Sequence, residues 1–188
     1  YTGSDLNAGS KLVVAAVGPP RYSLATEIPS GLRLPEGFSE PRVVLPGILA
    51  VRGPRCPAPT FGYRPTSSHA KNGASSQPWA NDLRRFCESL GRDDAINQFR
   101  MVLVVDDPAF VAESLGNFLW VTFTRANPAA DVDGIDAFTH QKHWGCRGAL
   151  VVDARIKPHH APVLEEDPAI ARKVDALAVA GGPLAGVF

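Results

Sequence analysis

The chain has 188 residues, of which 45% are hydrophobic, and its 19 Lys and Arg residues balance 19 Asp and Glu residues. This size and composition suit one domain with an apolar core, and they argue against disorder, which goes with fewer apolar residues and more net charge. Zero net charge without a Lys/Arg cluster argues against nucleic-acid and membrane-surface partners, and the apolar run Leu12–Val17 is too short to span a bilayer. Three cysteines without C-x-x-C spacing predict free thiols in a reducing compartment.

The N-terminal part of the chain is rich in proline, since residues 18–68 hold ten of its seventeen prolines. Proline fixes φ and removes a backbone donor, so this region predicts neither long helices nor central strands. Two apolar runs, Lys11–Val17 and Ile48–Val51, predict strands. We expect an extended arm between them, because a long loop in a compact domain is usually functional or bound to a partner. The chain therefore divides into an N-terminal strand and arm, residues 1–47, and an α/β domain, residues 48–188.

After residue 76 the pattern alternates between helix and strand. Apolar residues at helical spacing predict a helix over Pro78–Leu90, and the nearly unbroken apolar run Phe99–Val105 predicts a buried strand. Segment Asn117–Arg125 favours a strand on propensity, and Ala149–Val152 predicts another short strand. An N-cap followed by proline predicts a last helix over Asp167–Gly181. This order predicts an α/β fold, with a mixed or mainly parallel sheet flanked by helices.

A series of short motifs between residues 48 and 182 resembles one protein family. In chain order they are His69-Ala-Lys71 after Ser68, the acidic pair Asp106-Asp107, Asn117–Arg125 with Pro128 and Asp131, Leu150–Ala154 with Lys157-Pro158, and Asp167–Leu177. These are similar to the "GHAK", "WA-x-x-TR", "IDAT-x-K" and terminal-helix segments in the carboxyl-terminal domain of the UbiD family. UbiD enzymes are reversible decarboxylases that use prenylated flavin mononucleotide (FMN). The resemblance implies that Asn117–Arg125 is helical, against its propensity.

What the resemblance implies about function is specific. The chain would be the carboxyl-terminal subunit or domain of a cytoplasmic carboxy-lyase that acts on an aromatic or α,β-unsaturated carboxylic acid. A larger UbiD-like partner chain in a hetero-oligomer would hold most of the prenylated FMN, with the divalent metal and potassium at the flavin phosphate outside this chain. The family's catalytic glutamates and arginine lie in a preceding domain that has no counterpart here, so no catalytic residue is expected and the isolated chain should be inactive. The alternative is a non-catalytic assembly or oligomerisation module. The first residue, Tyr1, is not Met, as expected of a processed or trimmed piece.

Two groups of residues are candidates for binding. By resemblance Lys71, with His69 beside it, would contact the flavin phosphate, a task that suits a compact cation near a helix start. The alternative for Lys71 is a solvated loop lysine. The segment Asp133–Gly148 would reach over the active site, with Phe138 as a wall of the substrate pocket and His140 or His143 orienting a carboxylate or phenolic oxygen.

Other interpretations of the histidines stay open. His140, His143 and Cys146 could be zinc ligands, although their spacing matches no established zinc signature. They could also lie in a polar loop in which the histidines hydrogen-bond to carbonyl groups.

The remaining charged and aromatic residues favour structural roles. The set Arg125, Asp131, Asp153 and Arg155 favours an ion-pair network that ties strand ends together, over a catalytic role. Asp106 and Asp107 could bind a divalent metal, but the following proline favours Asp107 as a helix cap. The aromatic residues Phe118, Trp120 and Phe123 predict core or interface positions. The arm's apolar residues are expected to be buried against a neighbouring chain: Leu32, Leu34, Phe38, Val43 and Leu45.

Overall fold

The computed structural model describes residues 13, 18–19, 22–57, 78–160 and 167–186. Within these ranges the elements are β1 (Ser39–Leu45), β2 (Ile48–Arg52), α1 (Pro78–Glu88), a 3₁₀ turn (Ala95–Gln98), β3 (Met101–Val105), α2 (Pro108–Glu113), α3 (Leu115–Arg125), β4 (Val132–Gly134), β5 (Ala137–His140), β6 (His143–Cys146), β7 (Leu150–Asp153) and α4 (Pro168–Ala178). No helix in the described ranges combines the length and apolarity that a bilayer span requires.

Five strands form a mixed sheet in the order β1-β2-β3-β7-β4. The three central strands, β2, β3 and β7, run parallel, while β1 and β4 pair antiparallel at the two edges. Strands β5 and β6 form a separate antiparallel hairpin. The α/β class and the mixed sheet flanked by helices are therefore confirmed.

The sheet is buried on both faces because alternate side chains of each central strand enter different core clusters. On one face, Val102 and Val104 pack with Phe86 of α1. On the other, Leu103 and Val105 pack with residues of α2 and α3, including Val121. The near-continuous apolar sequence of β3 follows from this double burial.

Three local predictions are confirmed. Segment 115–125 is helical, and the hydroxyl of Ser114 caps it by accepting a hydrogen bond from the N–H of Asn117. The carboxylate of Asp107 caps α2 by accepting from the N–H groups of Ala109 and Phe110 at 3.0 and 3.1 Å, which is the expected structural role. The carboxylate of Asp167 likewise caps α4. The predicted strand Lys11–Val17 lies outside the described residues, except for Val13.

The N-terminal region departs from the expected arm, because its residues 39–45 form β1. This strand pairs with β2 across the predicted boundary at residue 47, so it belongs to the main sheet. Its proline, Pro41, lies on this edge strand within a register shift, next to Glu40, whose φ is 51°. At such a position the sheet requires no hydrogen bond from the backbone nitrogen of the proline. Proline within residues 39–45 is therefore compatible with an edge strand.

The apolar residues of this region pack on the chain's own core, Phe38 fully and the others in part. Burial of their remaining surface against a neighbouring chain stays a prediction. Phe38 is 7% exposed and its ring centroid lies 4.6 Å from that of Phe86. Leu32, Leu34 and Val43 pack against the same cluster, and Leu45 against the cluster on the other face. Hydrophobic burial within the chain thus orders residues that the sequence pattern alone assigned to an arm.

Candidate functional site

The carboxyl-terminal edge of the parallel strands gathers the buried charges of the domain. At its centre lies Arg155, two residues beyond the end of β7, with a fully buried side chain. Its guanidinium donates to both carboxylate oxygens of Asp153 at 2.9 and 2.8 Å, and to Asp82 of α1 at 3.0 Å. Its two other hydrogen bonds go to the backbone carbonyls of Pro54 and Trp79, at 2.6 and 3.0 Å. All five N–H donors of the guanidinium are therefore used.

Lys157 is the second buried cation at this edge, with 1% of its side chain exposed. Its ammonium lies 3.3 Å from the carboxylate of Asp131 and donates to the backbone carbonyls of Asp153 at 2.9 Å and Arg125 at 3.2 Å. The carboxylate of Asp131 also accepts the N–H of Asn127 at 2.7 Å. Lys157 thereby joins the end of β7 to the end of α3 and the start of β4.

The acidic end of β3 is also paired within the chain. The carboxylate of Asp106 accepts the N–H of Ile156 at 2.7 Å and lies 3.4 Å from the guanidinium of Arg125. The guanidinium of Arg125 also lies 5.1 Å from the ring centroid of Trp120. Arg52, at the end of β2, donates to the backbone carbonyl of Asp106.

The charge state of this network follows from burial and pairing together. Burial alone would raise the pKa of Asp153, but the hydrogen bonds from Arg155 and the charge of Lys157 outweigh it, so the pKa lies below its ordinary value. At Asp131 burial prevails over the attraction of Lys157, and the pKa of that carboxyl is raised. Arg155 keeps its charge because Asp153 and Asp82 more than offset the cost of burying it, which raises its pKa.

The network is built to hold elements together and not to transfer protons. Each buried charge has an opposite charge and hydrogen bonds that use its capacity, as expected for a structural set. Among the described residues, the buried side-chain polar atom without a hydrogen-bond partner is Oγ1 of Thr122, which lies three residues before Arg125 in α3. The geometry agrees with the structural role predicted for Arg125, Asp131, Asp153 and Arg155.

Two adjacent histidines border the network. The N–H of Lys157 donates to Nδ1 of His160 at 3.0 Å, and the rings of His159 and His160 meet edge to face with centroids 4.4 Å apart. Burial, together with the neighbouring His159 and Lys157, lowers the pKa of His160 to about 4. His160 is therefore neutral near pH 7, which its acceptor role at Nδ1 requires.

Segment Asp133–Gly148, expected to be a lid, contains the β5–β6 hairpin. The last residue of β4, Gly134, pairs with the first residue of β7, Leu150, so the hairpin leaves the sheet at the amino-terminal edge of the parallel strands. The buried ion network lies at the opposite edge. The structure therefore does not bring the hairpin and the network together.

The predicted pocket residues share one face of this hairpin. Because directly paired residues project to the same side, Phe138, His140, His143 and Gly145 lie on one face. Phe138 is 37% exposed, and its ring lies over Gly145 and 4.5 Å from the guanidinium carbon of Arg147. Both histidines are exposed. An exposed face with one aromatic ring and two imidazoles is free to contact another molecule.

The hairpin geometry separates the three residues of the zinc alternative. Cys146 pairs with Ala137, which places it on the face opposite to His140 and His143. A side chain added at Gly134 would meet the Cβ of Cys146 at 2.3 Å, so this cysteine packs toward β4. Within the described ranges, no group of three or more His, Cys, Asp or Glu side chains is arranged to hold a metal ion.

The other predicted binding residues, His69 and Lys71, lie outside the described residues. The described residues that flank their segment are tied to the same place, since Pro54 and Trp79 both accept hydrogen bonds from Arg155. Sequence reasoning missed the roles of Lys157 and Asp82 in the network. Lys157, two residues after Asp153-Ala-Arg155, was a weak indication of a buried cation. The sequence around Asp82 gave no indication of its role.

Comparison with known proteins gives distant matches. No protein-family model matches the chain. A 4-hydroxybenzoate decarboxylase subunit from Chlamydia pneumoniae is 29% identical over 92 residues, which are 48% of this chain and 15% of that protein. Uncharacterized proteins of Chlamydia muridarum and Chlamydia trachomatis are each 26% identical, over 167 and 170 residues, or 89% and 90% of this chain.

This chain corresponds to a small part of these relatives, since it covers 24% of each uncharacterized protein. Among solved structures, the vanillic acid decarboxylase of Sedimentibacter hydroxybenzoicus superposes with a TM-score of 0.36 and 14% identity, over 70% of this chain and 26% of that one. A likeness this loose carries no argument about fold or function. The firmer finding is the distant sequence similarity to a decarboxylase subunit.

Proposed function

We propose that this chain is part of a UbiD-like decarboxylase or carboxylase complex, as its carboxyl-terminal subunit or domain. The observation that carries the proposal is the similarity to a 4-hydroxybenzoate decarboxylase subunit over 92 residues. The family's motif order along this α/β chain supports the same assignment. The substrate would be an aromatic or α,β-unsaturated carboxylic acid.

The chain's share of the chemistry is positioning. The buried charges at the carboxyl-terminal edge are satisfied within the chain, so they offer no free acid, base or phosphate ligand. Residues of a larger partner chain would hold the flavin, with Lys71 and His69 as this chain's candidates for its phosphate.

The substrate-facing element would be the β5–β6 hairpin. A two-stranded hairpin is marginally stable by itself in water, and all four residues of β5 are exposed, so a partner surface would stabilise it. Phe138 would pack on an aromatic ring, and His140 or His143 would hydrogen-bond to a carboxylate or phenolic oxygen.

The test is turnover of the assembled complex. The chain is co-expressed with a UbiD-like partner chain, and decarboxylation of 4-hydroxybenzoate is measured for the Phe138→Ala, His140→Ala and His143→Ala variants. Thr139→Ala is the matched control because Thr139 projects from the opposite face of the same strand. A binding role raises KM, whereas a role in the transition state lowers kcat.

Three results would contradict the proposal. Turnover that is equal in the Phe138, His140, His143 and control variants would exclude a substrate role of the hairpin. Failure of any UbiD-like chain to co-purify would exclude the hetero-oligomer. Turnover by the isolated chain supplied with flavin would show that the chemistry does not need a partner.

A non-catalytic assembly module is the second candidate. It is favoured by α4, in which no residue is buried and the apolar residues Ile170, Val174 and Leu177 are 58%, 38% and 45% exposed on one face. In that case Val174→Glu should dissociate the complex, while Phe138→Ala and His140→Ala leave kcat and KM unchanged.

A further inference from the structure

A groove of about 410 Å³ lies at the amino-terminal edge of the parallel strands, and the proposed function does not use it. Residues 23–25 form one of its sides, and the loop and 3₁₀ turn between residues 92 and 98 form the other. Arg100, which directly precedes β3, completes the second side. The volume falls within the range of small-molecule sites, about 300–1,000 Å³.

The side chain of Asn97 holds the second side of the groove in place. Its amide nitrogen donates to three backbone carbonyls of residues 91–94, at 2.8 to 3.2 Å, and its oxygen accepts the N–H of Ala149 at 2.8 Å. On the first side, the carbonyl of Ala25 accepts the N–H of Gly47, also at 2.8 Å. Both sides are therefore fixed before a ligand arrives, which lowers the entropic cost of binding.

Two arginines line this groove with donors that the chain does not use. Arg92 and Arg100 are both exposed, and within the described part of the chain neither guanidinium makes a hydrogen bond or an ion pair. The guanidinium carbon of Arg100 lies 4.0 Å from the ring centroid of Tyr22. Stacking of this kind engages the flat face of the guanidinium and leaves its in-plane N–H groups free for an oxyanion.

We propose that this groove binds a small organic anion, whose carboxylate or phosphate ester pairs with Arg92 and Arg100. Planar N–H forks match the oxygens of both groups, and such charge-assisted hydrogen bonds are the strong ones. The apolar body of the ligand lies on the side chains of Leu24 and Ala95, which also line the groove. We call this site the Arg100 groove, after the residues that form it: Leu24, Arg92, Asp93, Ala95, Gln98 and Arg100.

The two acidic residues of the Arg100 groove differ in their surroundings. The carboxylate of Asp94 accepts the N–H of Gly91 at 2.6 Å, so it is engaged in the loop. That of Asp93 has no hydrogen bond or ion pair among the described residues, and it repels an anion in the groove. Asp93→Asn should therefore tighten binding a few-fold.

The experiment is a titration of the full chain, followed by the amide shifts in its nuclear magnetic resonance spectrum. The ligands are 4-hydroxybenzoate and phenyl phosphate, which carry a carboxylate or a phosphate ester on the same ring, with uncharged phenol as the control. At least one anion should shift the amides of residues 92–98, and phenol should not. Arg92→Gln and Arg100→Gln should each raise the dissociation constant about 10-fold or more, the effect of one charge-assisted hydrogen bond.

Arg84→Gln is the matched control, because Arg84 is exposed on α1 and does not line the groove. It should leave the dissociation constant unchanged. The two anions also distinguish the source of the oxyanion, since the tighter of them shows whether the groove prefers a carboxylate or a phosphate ester.

Four outcomes would overturn the proposal. They are the absence of amide shifts with both anions at millimolar concentration, shifts as large with phenol, binding that survives both arginine substitutions, and equal weakening by Arg84→Gln. If Phe138→Ala removes the binding of 4-hydroxybenzoate and Arg100→Gln does not, the anion binds at the hairpin. That result supports the proposed function and contradicts the Arg100 groove, so the two can fail separately.

Discussion

Replacing Arg155 with methionine removes five hydrogen bonds at the centre of the buried network while keeping most of the side chain's apolar volume. The change leaves the carboxylate of Asp153 and the carbonyls of Pro54 and Trp79 without this donor in a buried site. Removing one partner of a buried ion pair costs about 3–5 kcal/mol in the free energy of unfolding, because the other charge stays buried and uncompensated. We expect a loss in that range for Arg155→Met.

Arg85 offers a matched control on the same carboxylate. Its guanidinium also lies 3.0 Å from Asp82, but its side chain is 60% exposed. Pairs this exposed contribute about 0.2–1 kcal/mol, so Arg85→Met should cost less than about 1 kcal/mol. The two arginines share Asp82 but differ in burial and in the number of their hydrogen bonds, so the difference between the two variants measures the contribution of the buried network as a whole.

The assay is urea denaturation followed by circular dichroism. With a slope of about 2 kcal/mol per molar urea, Arg155→Met should lower the midpoint by about 2 M, and Arg85→Met by less than about 0.5 M. If Arg155→Met fails to fold, Arg155→Lys keeps the charge without the planar fork and should lose about 2 kcal/mol. Equal midpoints for the Arg155 and Arg85 variants would refute the argument that this network stabilises the fold.

Three further changes have defined outcomes. The pKa of His160 is lowered to about 4 in the folded chain. Between about pH 6.5 and 4 the unfolded chain therefore binds a proton that the folded chain does not, and the free energy of unfolding should fall as the pH drops through that window. After allowance for solvent screening, the loss is about 1–2 kcal/mol, and it should be absent from urea titrations of His160→Gln. If the free energy of unfolding of His160→Gln depends on pH as strongly as that of the original chain, His160 is not the group responsible. Lys142 has a φ of 67° in the hairpin turn, so Lys142→Gly should raise the thermal midpoint by relieving about 1 kcal/mol, whereas Lys142→Ala should not. Asp107→Ala should cost about 1 kcal/mol in urea titration by removing the cap of α2, and a loss as large in Asp107→Asn would argue against a capping role.

Elements with local signals could be predicted from the sequence alone. The N-caps Asp107 and Asp167, each followed by proline, mark helix starts because their carboxylates accept N–H groups two or three residues away. The unbroken apolar run of β3 predicted a strand buried on both faces. Local propensity fails for segment 115–125, because its β-branched and aromatic residues favour a strand. Only the family resemblance indicated the helix. Propensity is overruled there because one face of the helix can cover the sheet.

The pairing of β1 and the partners of Arg155 depend on contacts that form only in the folded chain. Strand β1 forms because β2 offers an edge and the core accepts Phe38, neither of which is visible in a proline-rich stretch. Arg155 bonds to carbonyls that lie 101 and 76 residues away along the chain, and backbone carbonyls carry no residue-specific signal. The antiparallel pairing of β4 with β7 likewise sends the hairpin to the edge opposite the buried network. Contacts between residues this far apart depend on how the strands and helices assemble. The residue pattern of one segment does not contain that information.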